Sequence, residues 1–318
     1  MSWIGDRFRL RRSVDATGEG AAPAMPEDAL RRLRLEASQV ADGVMSGFHA
    51  SARLGRGIEF AGFRNYVPGD DLRFLDRRRS LSDTGLLIRQ YEVERDRALL
   101  VIVDGSASMA ASGDDTPGRK RQWADVVAAA LVRIAAAQGD GACAAVDGPS
   151  GAVGGFFRGK KAFERATEVL VHRHAATDHG RVRDVLVAAV SRVALASGWV
   201  VFVGDFLDEA MPLFPVLAEA RARGAHVAVV RIETPVERDF SFEGAVHLRD
   251  PESGERVETF GPAARARYLA AREKHRDATT RRLNEAGVHV VDASTDGRVE
   301  EVLARTLEGL RQRASHRG

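Results

Sequence analysis

The chain has 318 residues, enough for one α/β domain with an appended segment, and its 47 Lys and Arg against 45 Asp and Glu leave a net charge of only +2. That balance demands neither nucleic acid nor a membrane surface as partner. A single cysteine, Cys143, excludes a disulfide framework and any zinc site built from several thiolates.

Residues 1–26 read as a flexible leader, because residues 13–26 are rich in Gly, Ala and Pro without periodicity. Met1 to Arg12 carries Asp6 among arginines and lacks the apolar run of a signal peptide, so with the lone cysteine it points to a cytoplasmic protein. Residues 27–96 predict an N-terminal segment of helix, loops and short strands. Leu30, Leu33 and Leu35 among arginines predict a basic amphipathic helix to about Val40, with a solvated face against a core. The stretch from Leu54 to Tyr91, dense in Gly, Asp and Arg, predicts loops and short strands such as Leu86-Leu87-Ile88. No basic-aromatic motif makes a nucleic-acid site of Arg31, Arg32, Arg34 or the run Arg77 to Arg79.

Residues 97–318 read as one further domain. Ala98 to Val103 is a continuous apolar run ending in Asp104, and Gln122 to Ala137 has helical periodicity. Short strands follow at Ala142 to Val146 and Ala152 to Phe157, with helices at Lys160 to Leu170 and Arg181 to Ala196. Trp199 to Val203 is another buried strand, ending at Gly204-Asp205; a helix from about Glu209, a strand from Ala225, a helix from about Pro262, a strand from Val288 and a last helix complete the series. The most apolar stretch, Val185 to Val203, is interrupted by Arg192 and punctuated by Ser197-Gly198, so no membrane span is predicted. The alternation predicts an α/β fold, a doubly wound and mainly parallel sheet with helices on both faces, with Phe240 to Phe260 as a surface hairpin.

In such sheets ligands bind beyond the carboxyl ends of the strands, where the winding reverses. Two predicted strands end there in an aspartate. Asp104 opens a loop that adds the hydroxyls of Ser106 and Ser108, Asp205 ends the second strand, and the loop around Thr177 offers a third hydroxyl, with Thr116 as its competitor. These are hard oxygen donors without Cys or a required His, so they suit Mg2+, or Mn2+ or Ca2+, rather than zinc or copper. Magnesium, six-coordinate and retentive of water, would keep one position free for an acidic side chain of a partner.

The run from Val101 to Met109 resembles the metal-ion-dependent adhesion site (MIDAS) of von Willebrand factor A (vWA) domains. The stretch from Gly57 to Arg73, with Phe63-Arg64-Asn65-Tyr66 and Pro68-Gly69-Asp70-Asp71-Leu72-Arg73, is similar to the signature of the bacterial DUF58 family. The resemblance takes in Leu248 to Glu252 and covers most of the chain from about Phe48 onward. The family pattern carries a tryptophan where Arg77 follows Leu75-Asp76 here. The resemblance implies a cytoplasmic or membrane-anchored bacterial protein working beside a MoxR-type AAA+ ATPase in assembly, maturation or stress response. The oxygen-rich site, with no adjacent general base, reads as a protein–protein interaction module and not an enzyme. Turn residues and charges in the Gly57 to Arg73 segment read as a salt-bridged lid.

A competing reading is a metal-dependent hydrolase built on His172, His174, Asp178 and His179, which faintly resembles the His-x-His-x-Asp-His motif of metallo-β-lactamase-like enzymes. Two extra residues separate His174 from Asp178, which is the wrong spacing. No P-loop is present, so any nucleotide hydrolysis belongs to a partner.

Overall fold

The computed structural model describes residues 26–51, 60–68, 75, 86–91, 97–110, 119–148, 151–172, 179–195, 197–207, 214–251 and 253–315. The chain divides into two compact units, one of Met1–Met45 with Arg97–Gly318 and one of Ser46–Asp96. The division falls inside the first helix, α1 (Pro26–Ser51), so the larger part of α1 belongs with the unit that resumes at Arg97. In the smaller unit β1 (Phe60–Asn65) and β2 (Leu87–Tyr91) pair antiparallel, and Leu75 bridges to Ile88. Within the Gly57 to Arg73 stretch, residues 57–59 and 69–73, including Asp70, Asp71 and Arg73, lie outside the described residues, as does the side chain of Arg64.

The larger unit continues with β3 (Ala98–Asp104), α2 (Ala107–Ala110), α3 (Arg119–Ala137), β4 (Gly141–Asp147), β5 (Ala152–Val153), α4 (Gly159–Val171) and α5 (His179–Leu195). It then runs through β6 (Trp199–Gly204), α6 (Phe214–Ala222), β7 (His226–Glu233) and α7 (Pro235–Asp239). The hairpin β8 (Ala245–Arg249) and β9 (Arg256–Phe260), α8 (Gly261–Glu285), β10 (His289–Ser294) and α9 (Val299–Ser315) complete it. Six strands form one sheet in the order β10-β7-β6-β3-β4-β5, all parallel except β5. The doubly wound reading of the sequence is thus the observed architecture.

Its central strands are apolar along their whole length because both faces are covered. Leu100, Ile102, Val200, Phe202, Val227 and Val229 pack under Leu186, Val190 and Val193 of α5 and Leu217 of α6. The alternate residues of the same strands face the other way, where α3 lies on β3 and β4, and α9 on β7 and β10. On α1 the buried stripe is Leu33, Ala37, Ala41 and Val44, a helical repeat, whereas Leu35 is 59% exposed. Arg34 and Arg133 tie α1 down, Arg34 Nε donating to Thr167 Oγ1 of α4 at 2.9 Å and Arg133 of α3 donating to Asp42 at 3.0 Å. Phe240 to Phe260 forms the expected hairpin, with Phe240, Phe242, Val246 and Leu248 in a small core of their own against Ala264 of α8. Among the described residues no helix is long and apolar enough to cross a membrane.

Candidate functional site

From β3 the chain steps to β4 and β5 on one side, then crosses back to β6 and on to β7 and β10 on the other. The winding switch therefore lies between β3 and β6, and the carboxyl ends of these two strands are where such sheets form their ligand crevice. Asp104 is the last residue of β3; Asp205 directly follows Gly204, the last residue of β6.

Two glycines let these ends close on one another. A Cβ at Gly204 would lie 2.7 Å from Asp104 Cβ and 3.0 Å from its Oδ2, so only glycine lets Asp104 lie across the end of β6. At Gly105 a Cβ would meet the Asp147 carbonyl oxygen at 2.6 Å, where the Gly105 N–H donates at 2.5 Å. The loop then turns back on its own aspartate: Ser106 N donates to Asp104 Oδ1 at 2.8 Å. The hydroxyls of Ser106 and the buried Ser108 stand 2.8 Å apart and share a hydrogen bond. After Asp205 the backbone takes a left-handed turn at Phe206 (φ 55°), held by packing of the Phe206 ring edge-on to Phe202 at 5.0 Å. That turn brings Leu207 N to 3.4 Å from Asp205 Oδ1.

Among the described residues, the charges that act on Asp104 are negative. Burial first, and the neighbouring Asp205 second, push the Asp104 carboxyl up to about 7, against the hydrogen bonds from Ser106. Asp205 has a cationic partner that sequence reasoning missed. Lys120, at the start of α3, is fully buried, and its Nζ donates to Asp205 Oδ2 at 3.0 Å and to Glu237 Oε1 at 2.6 Å. Burial alone would favour the neutral amine, but Asp205 and Glu237 outweigh it and hold Lys120 as an ammonium. Glu237 is fixed in turn by the capping box of α7, accepting from Thr234 N at 2.8 Å while its own N–H donates to Thr234 Oγ1. In the sequence Lys120 sits inside Arg119-Lys120-Arg121, and nothing in that run separates it from two surface arginines.

The structure thus brings Asp104, Ser106, Ser108 and Asp205 to one crevice. Thr177 and its competitor Thr116 lie outside the described residues. Of the hydrolase motif, His172 is exposed, while His174, Asp178 and the side chain of His179 also lie outside them. Among the described residues no three His, Cys, Asp or Glu side chains are placed to hold a metal ion. Cys143 is buried in β4, donates to the Gly154 carbonyl at 3.0 Å, and burial pushes its thiol up to about 12, which makes it inert packing.

Fold and crevice together define an α/β protein whose concentrated chemistry is a carboxylate-and-hydroxyl cleft at the switch of a doubly wound sheet. The family model described as protein of unknown function DUF58 matches residues 62–278, more than half of the chain, and the chain belongs to that family. Relatives include the uncharacterized proteins Rv1480 of Mycobacterium tuberculosis (strain ATCC 25618 / H37Rv) and Mb1516 of Mycobacterium bovis. Each is 29% identical over 273 residues, 84% of this chain and 84% of the relative. Among solved structures, the conserved hypothetical protein BatB from Bacteroides thetaiotaomicron matches with a TM-score of 0.40 and 8% identity, over 68% of this chain and 99% of that one. An aerotolerance-related membrane protein from Bacteroides fragilis matches with a TM-score of 0.41 and 10% identity, over the same shares.

Proposed function

We propose that this chain is a metal-dependent protein–protein interaction module, a vWA-like domain whose MIDAS is the crevice between β3 and β6. The observation that carries the reading is the pair of hydroxyls of Ser106 and Ser108, 2.8 Å apart beside Asp104, whose carboxyl burial and Asp205 push up, and near Asp205 itself. The two oxygens, at ordinary hydrogen-bond distance, are close enough to reach one hard cation such as Mg2+, Mn2+ or Ca2+ together. Ser106 and Ser108 would hold the ion directly, Thr177 would add the third hydroxyl, and Asp104 and Asp205 would face it through water. Bound there, a divalent cation supplies one electrophilic coordination position for an Asp or Glu of a partner.

The chain's own residues favour binding over turnover. Ser106 and Ser108 stay neutral donors, which leaves the ion's charge largely unspent on its protein ligands. Lys120 is locked between two carboxylates and offers no lone pair as a general base. The partner we propose, on the resemblance to the family, is a MoxR-type AAA+ ATPase, or a client protein presenting an acidic residue, in assembly, maturation or stress response.

The test is capture of a purified MoxR-type ATPase of the same organism by the full chain, in magnesium and in chelator. Capture should need magnesium and should be lost in Ser106→Ala and Asp205→Ala. Equal capture in every arm would sink the bridging mechanism, and a metal-dependent hydrolysis lost with Asp104→Ala would overturn the reading as a non-enzyme.

A further inference from the structure

Lys120 has no place in the ligand set above, yet it is the largest fully buried side chain of the unit and touches that set directly. Its ammonium takes Asp205 Oδ2 at 3.0 Å, and the other oxygen, Oδ1, lies 3.4 Å from Leu207 N. Its second partner, Glu237 Oε1 at 2.6 Å, comes from α7. Glu237 is not free to follow the lysine, because Oε2 accepts from Thr234 N and its backbone oxygen accepts from Tyr268 Oη at 2.9 Å. One ammonium between two carboxylates leaves that trio with one net negative charge, to which Asp104 and its neighbour Asp147 add when ionised, so the net charge here favours a divalent cation.

We infer that Lys120 is the positioning residue of the site: it pins Asp205 through Oδ2 so that the carboxylate faces a bound cation through Oδ1 alone, and Glu237, by sharing the ammonium, sets how much negative charge Asp205 keeps for that cation. This rests on the metal-binding reading of the crevice. It assigns Glu237, which is not among the proposed metal ligands, an effect on metal affinity carried through Lys120. Without Glu237's charge the ammonium would neutralise Asp205 alone and the site would lose one negative charge. A divalent ion would then be held less well, although every proposed ligand is intact.

The experiment is titration of the full-length protein with Mn2+ at pH 8, by calorimetry and by counting free Mn2+ from its electron paramagnetic resonance signal. It compares wild type, Asp104→Asn, Glu237→Gln and Thr234→Ala, with circular dichroism on each. Glu237→Gln should weaken Mn2+ binding by about tenfold or more, the scale of one unit charge acting across a few ångströms of protein. Thr234→Ala, which removes the α7 cap but no charge, should stay within about twofold of wild type. Equal weakening in both variants would mean that Glu237 only holds α7 together, and no weakening in Glu237→Gln would break the charge link; either result overturns the inference while wild-type binding keeps the metal site. If wild type binds no more Mn2+ than Asp104→Asn, the metal reading itself fails and the inference falls with it.

Discussion

Two clusters of charge sit at the strands of this sheet, and they treat aspartate in opposite ways. In β10, Asp292 stands beside Arg231 of the parallel neighbour β7. Its Oδ1 accepts from Arg231 Nε and its Oδ2 from Arg276, each at 2.6 Å. Burial pushes this carboxyl up, but the Arg231 hydrogen bond and the charges of Arg231 and Arg276 more than offset it and hold Asp292 below the usual carboxylate range. At the end of β3 burial acts on Asp104 in the same direction, but the neighbouring charge that acts on it most is another carboxylate, Asp205, and it is left at about 7. One cluster is complete within the chain. The other carries negative charge that the described residues balance only in part, through Lys120. A balanced ion-pair network and a cluster in excess of negative charge are thus told apart by the direction in which the carboxyl is shifted, not by the number of charges.

The sharpest way to break that comparison is Lys120→Met, which removes the one buried cation between Asp205 and Glu237. Leaving two carboxylates buried without it should cost about 3–5 kcal/mol in the absence of metal, read by urea denaturation. Magnesium should then stabilise the variant more than it stabilises wild type, because the variant's crevice carries one more negative charge. A loss below about 1 kcal/mol would show that the trio relaxes into solvent and is not the counterpart of a cation site.

Next in size is the pH response, where the two clusters should slope in opposite directions. Asp104 has a raised folded-state pKa, so its contribution to stability is present below the ordinary carboxylate range and is lost as pH rises through about 7. The metal-free protein should therefore be destabilised by this group between about pH 4 and 7, and Asp104→Asn should remove that slope. Magnesium affinity should fall about tenfold per pH unit once the proton competes below about 7. Asp292, with a lowered pKa, contributes stability above the ordinary carboxylate range that is lost on acidification. Its side chain is 37% exposed, so Asp292→Asn should cost only about 1–2 kcal/mol near neutrality, less than its two short hydrogen bonds suggest. Thermal melts of both variants from acid to neutral pH check the pair; parallel profiles would abolish the distinction drawn between them.

How much of this was legible beforehand follows from which residues neighbour one another in sequence. Asp104 and Asp205 were legible because each is the first charge after a buried strand, and strand ends of a doubly wound sheet meet at a switch point. Ser106 and Ser108 came with the loop. Lys120 was not legible: its partners are 85 and 117 residues away, and its neighbours Arg119 and Arg121 make it look like surface. The contact face of α1 was legible only in part: of the leucines at 30, 33 and 35, Leu33 lies in the stripe that packs and Leu35 does not, and half of that stripe is alanine, Ala37 and Ala41, whose small side chains carry little signal but allow close approach. The hairpin at β8 and β9 was readable because it breaks an otherwise regular alternation of strand and helix.

The smallest effect sharpens the comparison from the other side, by asking what an ion pair of the same chemistry is worth when water reaches it. Arg238 bonds Asp296 at 3.3 Å, but the two side chains are 38% and 44% exposed, and Arg238 also holds Asp239 at 3.0 Å. Hydrogen bonding to Ser294 lies first among the causes that keep Asp296 below the usual carboxylate range. Solvent screens such a pair, and Arg238 keeps a second partner when Asp296 is neutralised. Asp296→Asn should therefore change stability by less than about 1 kcal/mol, and the difference should vanish in about 1 M salt, where the screening length falls to a few ångströms. The response of Lys120→Met should hardly depend on salt, because no counterion reaches a side chain that is 0% exposed. Denaturation of both variants at low and high salt measures this directly. A salt-sensitive Lys120→Met would mean that ions enter the crevice freely, and the case for a buried, cation-specific site would go with it.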